Sequence, residues 1–278
     1  MSVTDVRSAT GERLDELAAG PAPRAALVGY LPVGFPTVPG SARAVRTMVD
    51  AGVDVVELGI PYTDPVMDGP VIQAAANRAL AQGTRVADTL RVAEQVAGAG
   101  APVLVMTYWN IVLRYGVDAF ARDLAAAGGA GLITPDLIPD EGAEWLAASD
   151  AHGLDRVFLV APSSTPERLA STVAASRGFV YAASTMGVTG ERTTVGDRAE
   201  QLVAATRAAG AARVCVGLGV SRPEQAAEVA GYADGVIVGS ALVRALLEAP
   251  DEASGLTALE GVVRGLADGV RGAVRAPR

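Results

Sequence analysis

The sequence predicts an α/β fold, a single (β/α)8 barrel of the TIM type with an extra helix at its N-terminus. Eight short apolar runs recur along the 278 residues, and a segment with helical spacing follows each. Most of these runs are continuous in Val, Ile and Leu rather than alternating, as expected of parallel strands covered on both faces. Eight such units exceed what an open doubly wound sheet commonly holds, which favours closure into a barrel.

In chain order, residues 1–20 carry Leu14 and Leu17 three apart and read as a helical extension ahead of the first strand. Strands are expected at 26–31, 53–58, 103–107, 131–134, 157–160, 179–183, 214–218 and 235–238. Ala44, Val45, Met48 and Val49 repeat at helical spacing before Gly52, a residue suited to the turn that ends a helix. Val117, Phe120, Ala121 and Leu124 do the same before Gly128. Thr165 followed by Pro166 reads as an N-cap with proline at the first helical position. Ser221 and Glu224 have the spacing of a capping box. No linker or low-complexity stretch divides the chain, so 1–278 is read as one domain.

Composition excludes several chemistries. The chain holds 23 basic residues, all arginine, and one histidine, His152. Without lysine there is no Schiff base with a carbonyl substrate and no pyridoxal phosphate anchored in this chain. One histidine and one cysteine leave a metal site short of its usual ligands, so no metal is expected. Proton transfer falls to Asp, Glu, Tyr or water. The net charge of −8 argues against nucleic acid, and no apolar run is long enough to cross a bilayer. The first twenty residues carry charges where a signal peptide needs an apolar segment, and the lone Cys215 fits a reducing compartment. A cytoplasmic location is expected.

In a barrel of this kind chemistry sits at the C-terminal ends of the strands. Glu57 falls there, in the stretch "VELGIPYTDPVMDGP" that ends at Pro70 and also holds Asp64 and Asp68. A carboxylate inside an apolar strand either pairs with an arginine or has its pKa raised by burial. Both readings stand for Glu57. Asp64 and Asp68, each next to a proline or glycine, also read as ordinary turn residues. His152 precedes the fifth strand, at the opposite face, and reads as structural. Cys215 lies inside the seventh strand and reads as a small buried hydrophobe.

A second signal lies across the ring. The seventh strand ends in "GLGVS" (217–221) and the eighth in "VGSALV" (238–243), each leading into a helix. Glycines there let backbone approach a ligand, and free N–H groups at helix starts attract anions. The sixth is followed by "STMGVTGERTT", whose Gly187, Thr189 and Gly190 can hinge or close. Three such loops on successive strands point to a phosphorylated ligand. Tyr30, Tyr108 and Tyr181, at or near the ends of the first, third and sixth strands, line an apolar small-molecule pocket with Met106 and Leu218.

These motifs, with "MTYWN", "PDLIPDE" and "GLGVSRPEQ", resemble the tryptophan synthase alpha-chain family in order over nearly the whole chain. The resemblance implies a retro-aldol cleavage of indole-3-glycerol phosphate into indole and glyceraldehyde 3-phosphate, without metal or cofactor. It implies Glu57 as acid/base and Asp68 as its carboxylate partner at the indole N–H. It further implies Gly190, Gly219, Gly239 and Ser240 at the phosphate, Tyr181 near the active site, and Thr189 on a loop closing towards Asp68. A beta chain carrying pyridoxal phosphate is the implied partner in an α2β2 complex, with the loops around 61–69 and 184–194, and Asn110, facing it or the closing site. The chain departs from many members at Thr185 and Met186, and at Phe35 in the turn after the first strand. A second reading is a phosphate-binding barrel that chiefly activates a partner enzyme.

Overall fold

The computed structural model describes residues 7–183, 197–217 and 219–275. Nine parallel strands form its sheet: β1 (Ala26–Pro32), β2 (Val55–Gly59), β3 (Val103–Met106), β4 (Gly131–Ile133), β5 (Asp155–Val157), β6 (Leu159–Val160), β7 (Val180–Ala183), β8 (Val214–Gly217) and β9 (Gly235–Val238). They run around in the order β5-β4-β3-β2-β1-β9-β8-β7-β6. Nine strands replace the expected eight because the fifth is interrupted at Phe158. Its first half pairs with β4 and its second with β7. The Val157 carbonyl accepts from Thr134 N at 3.3 Å on one side, and the Phe158 carbonyl from Tyr181 N at 3.0 Å on the other. The barrel closes through that residue.

Side chains alternate strictly between two layers. Outward residues such as Leu27, Val56, Leu58, Val103, Val105 and Val236 pack against the surrounding helices. Inward residues Ala26, Val28, Val55, Leu104, Ile133, Val157, Phe179, Cys215 and Ile237 fill the barrel. Cys215 is wholly buried there, as expected, and a Cβ at Gly235 on the neighbouring strand would sit 2.6 Å from its sulfur.

The N-terminal helix, Ala9–Ala19, starts at an N-cap Ser8 whose side chain accepts from Gly11 N. Its Leu14 belongs to the barrel's interior cluster, so the helix stops the bottom of the barrel with an apolar side chain. Polar bonds fix its register: Thr10 N donates to Asp155 Oδ2 at 3.0 Å, Arg13 pairs with Asp54 at 3.0 Å, and Asp15 pairs with Arg213. Asp54 is buried but fully served, taking Arg24 at 2.6 and 2.7 Å and Leu27 N at 3.0 Å. Such pairing is what permits a charge to sit in a core layer.

Helix ends follow the sequence with one correction. Gly52 ends Val38–Ala51 at φ 123°, a value that favours glycine, and Thr165 caps Pro166–Ala175 through Arg168 N. The cap of Pro223–Tyr232 is not Ser221 with Glu224. Pro223 takes the first helical position, so Arg222 is the N-cap and Gln225 reaches back, accepting from Arg222 N at 3.1 Å and Ser221 N at 3.0 Å. His152 ends Ala143–Ala151 on the outside of the barrel, its Nε2 3.0 Å from Asp118, away from the mouth.

Candidate active site

Glu57 sits at the C-terminal end of β2, inward-facing and 1% exposed. Its Oε1 has no hydrogen-bond partner, and no arginine reaches it among the described residues. That removes an ion pair with an arginine of a neighbouring strand, where every residue of β1 and β3 is described. Burial alone pushes its pKa up to about 8, because nothing compensates the lost hydration of the charged form.

Tyr30 stands directly opposite on β1, in register with Glu57. Burial first, then the fields of Asp68 and Glu57, hold the Tyr30 phenol well above its ordinary pKa. Tyr181, on β7, is raised by burial and then by Glu57. Three strands therefore converge on one carboxyl group.

Asp68 arrives from the loop after β2 and is half-buried. Tyr108, just beyond β3, donates to Asp68 Oδ1 at 3.2 Å and accepts from Met67 N at 3.1 Å. Gln73 anchors the same loop, its Nε2 donating to the Asp68 carbonyl at 2.7 Å. Burial raises the Asp68 pKa, and the Tyr108 hydrogen bond works against that rise. Asp64 is exposed and accepts from the Thr63 hydroxyl beside it, as a turn residue does. Met106, the last residue of β3 and in register with Gly59, packs against the top of the barrel-interior cluster.

Across the ring, Gly219 has φ 70° and so takes a conformation that glycine adopts without strain. Gly239 precedes the helix Ser240–Leu247, whose N-terminus has no side-chain cap, leaving its first N–H groups open. Ser240 is buried at that start. Thr189, Gly190 and Leu218 lie outside the described residues, as do Thr185 and Met186. Phe35 is buried, with the Arg78 guanidinium 5.8 Å from its ring centre.

Sequence reasoning missed what two glycines do for the tyrosines beside them. A Cβ at Gly59 would overlap the Tyr30 hydroxyl, and a Cβ at Gly217 would overlap that of Tyr181. Each vacancy lets a phenol lie across its neighbouring strand. In the sequence Gly59 looks like an ordinary strand end, and Gly217 reads only as the start of the glycine stretch after the seventh strand.

The family model for the tryptophan synthase alpha chain matches residues 18–271. The chain belongs to the tryptophan synthase alpha chain family. Curated alpha chains from Salinispora arenicola and Mycobacterium marinum are 65% and 64% identical over 248 residues, covering 89% of this chain and 93% and 90% of theirs. A solved structure of Mycobacterium tuberculosis tryptophan synthase superposes with a TM-score of 0.89 at 59% identity, covering 95% of this chain and 98% of that one. A tryptophan synthase alpha chain from Legionella pneumophila gives 0.84 at 30% identity, covering 95% and 97%. As a member of the tryptophan synthase alpha chain family, the protein is a lyase of tryptophan biosynthesis that cleaves indole-3-glycerol phosphate to indole and glyceraldehyde 3-phosphate.

Proposed function

We propose that Glu57 is the acid/base of this lyase and Asp68 its electrostatic partner. Cleavage moves one proton in net terms. Indole C3 gains a proton as its bond to the glycerol chain breaks, and the hydroxyl on the departing carbon loses one as it becomes an aldehyde. A single carboxyl group that starts protonated gives the first and then, as carboxylate, takes the second. The observation that carries this is the fully buried Glu57, whose Oε1 has no partner among the described residues and whose pKa is raised to about 8. Asp68 accepts from the indole N–H and stabilises positive charge growing on the protonated ring.

The phosphate is bound by Gly219, Gly239 and Ser240, together with Gly190. Tyr30, Met106, Tyr108, Tyr181 and Leu218 line the substrate pocket, and Thr189 belongs to the loop that closes over it. The chain uses no cofactor or metal of its own, forms one domain over 1–278 with residues 1–20 as a helical extension, and works in the cytoplasm. Its partner is a tryptophan synthase beta chain carrying pyridoxal phosphate, in an α2β2 complex that receives the indole. Support for a docking face on the mouth side comes from exposed Val66 (69%) and Leu113 (51%). They flank the pair in which Asn110 Nδ2 donates to the Tyr62 hydroxyl at 2.7 Å.

The test is indole release from purified protein, with and without a beta chain. Glu57→Gln is expected to reduce turnover by 10³-fold or more, on the order of a lost acid/base, while a phosphate ligand still binds. Retained turnover would overturn the Glu57 assignment.

A further inference from the structure

Tyr30 contributes more than an apolar wall. Its ring starts beside Gly239, where a Cβ would lie 3.3 Å from Tyr30 Cδ1, and its hydroxyl ends over Gly59, where a Cβ would overlap it. The side chain thus spans the distance between the proposed phosphate site and the acid pair. Among the described residues the Tyr30 hydroxyl makes no hydrogen bond, although both carboxyl groups are close enough to act on it electrostatically. A partly buried phenol lying over β2, whose only polar atom bonds to no described residue, is a donor available to a ligand. Its raised pKa keeps the proton on it throughout the working range.

We propose that Tyr30 Oη donates a hydrogen bond to the middle hydroxyl of the glycerol chain of indole-3-glycerol phosphate, making Tyr30 a positioning residue that recognises the hydroxylated chain. This inference rests on the site reading above. The middle carbon lies between the phosphate, held beside Gly239, and the reacting carbon, held beside Glu57, and Tyr30 passes between those two places. The middle hydroxyl does not react, so its hydrogen bond is present equally before and during cleavage. Loss of such a bond raises KM and leaves kcat in place.

The experiment compares the wild type with Tyr30→Phe, which removes one oxygen and no hydrogen bond within the described protein. KM and kcat are measured for indole-3-glycerol phosphate, and Ki for 3-(indol-3-yl)propyl phosphate, which keeps the ring and phosphate but lacks both hydroxyls. KM is expected to rise about ten-fold, the size of one neutral hydrogen bond, with kcat within about three-fold and Ki within about two-fold of wild type. Unchanged KM overturns the proposal. So does an equal loss for substrate and analogue, which would mark Tyr30 as packing alone. A wild type that binds the analogue but does not cleave the substrate overturns the acid/base reading, and one that binds neither overturns the site. Both outcomes differ from a failure of Tyr30 itself.

Discussion

The Tyr108 hydroxyl lies 3.2 Å from Asp68 Oδ1, to which it donates, and 3.1 Å from Met67 N, from which it accepts. One phenol beyond β3 therefore fixes both the backbone and the carboxylate of a loop that leaves β2. Its own pKa is pushed up to about 12, first by burial, so it remains a donor. Tyr62 packs against the same ring, centroid to centroid at 5.0 Å.

Tyr108→Phe should release Asp68 from its tether. A roughly ten-fold loss of kcat/KM for indole-3-glycerol phosphate is expected, with stability lowered by about 1 kcal/mol, the net value of a single hydrogen bond. Steady-state kinetics and a denaturant titration check the two parts separately.

The pH profile follows from Glu57. With its pKa near 8, the free enzyme holds the proton needed at indole C3 below that pH and loses it above. kcat/KM is expected to fall about ten-fold per pH unit on the alkaline side of 8. An acid limb comes from Asp68, raised above the ordinary aspartate value by burial, because its protonated form no longer offsets charge on the ring. A profile still rising through pH 9 would exclude Glu57 as the acid.

The same burial costs stability. Between the ordinary glutamate value of 4.5 and about 8, folded Glu57 holds a proton that the unfolded chain has released. Its contribution therefore becomes less favourable as pH rises through that window, by roughly 3–5 kcal/mol in all. Glu57→Gln should remove this dependence, so that variant gains on the wild type as pH rises from 5 to 9. Urea midpoints at both ends of the range measure it.

Gly59→Ala adds a methyl group where the Tyr30 hydroxyl lies. The phenol must swing out of its lane across β2, and a fall in kcat/KM of ten-fold or more is expected with the protein still folded. Unchanged kinetics would mean that the vacancy has no bearing on the site.

Leu14→Ala would open a cavity at the bottom of the barrel interior, in which Leu14 is buried. The expected cost is about 2–4 kcal/mol, read as a lowered melting temperature, with kcat nearly unchanged because the site lies at the other end.

Much of this was legible before folding was considered. Glu57 stands out because an acid in an apolar strand demands a reason, and the run of parallel-type strands announced a barrel. The split at Phe158 was not legible: "VFLV" (157–160) is one continuous apolar run, and which residue changes partners depends on closure of the ring. Nor was the Tyr108–Asp68 bond, whose members are 40 positions apart. The purpose of Gly59 and Gly217 was hidden because it lies in the side chain of an adjacent strand, which sequence order does not reveal.

Leu14 fills the base of the barrel interior with an apolar side chain. The proposed acid/base, Glu57, lies at the opposite, C-terminal end of the strands, the side on which the proposed docking face also lies. A neighbour seated there turns an exit to solvent into a hand-over. The short N-terminal helix, remote from Glu57, thereby leaves chemistry to the far end of the barrel, where a partner can reach it.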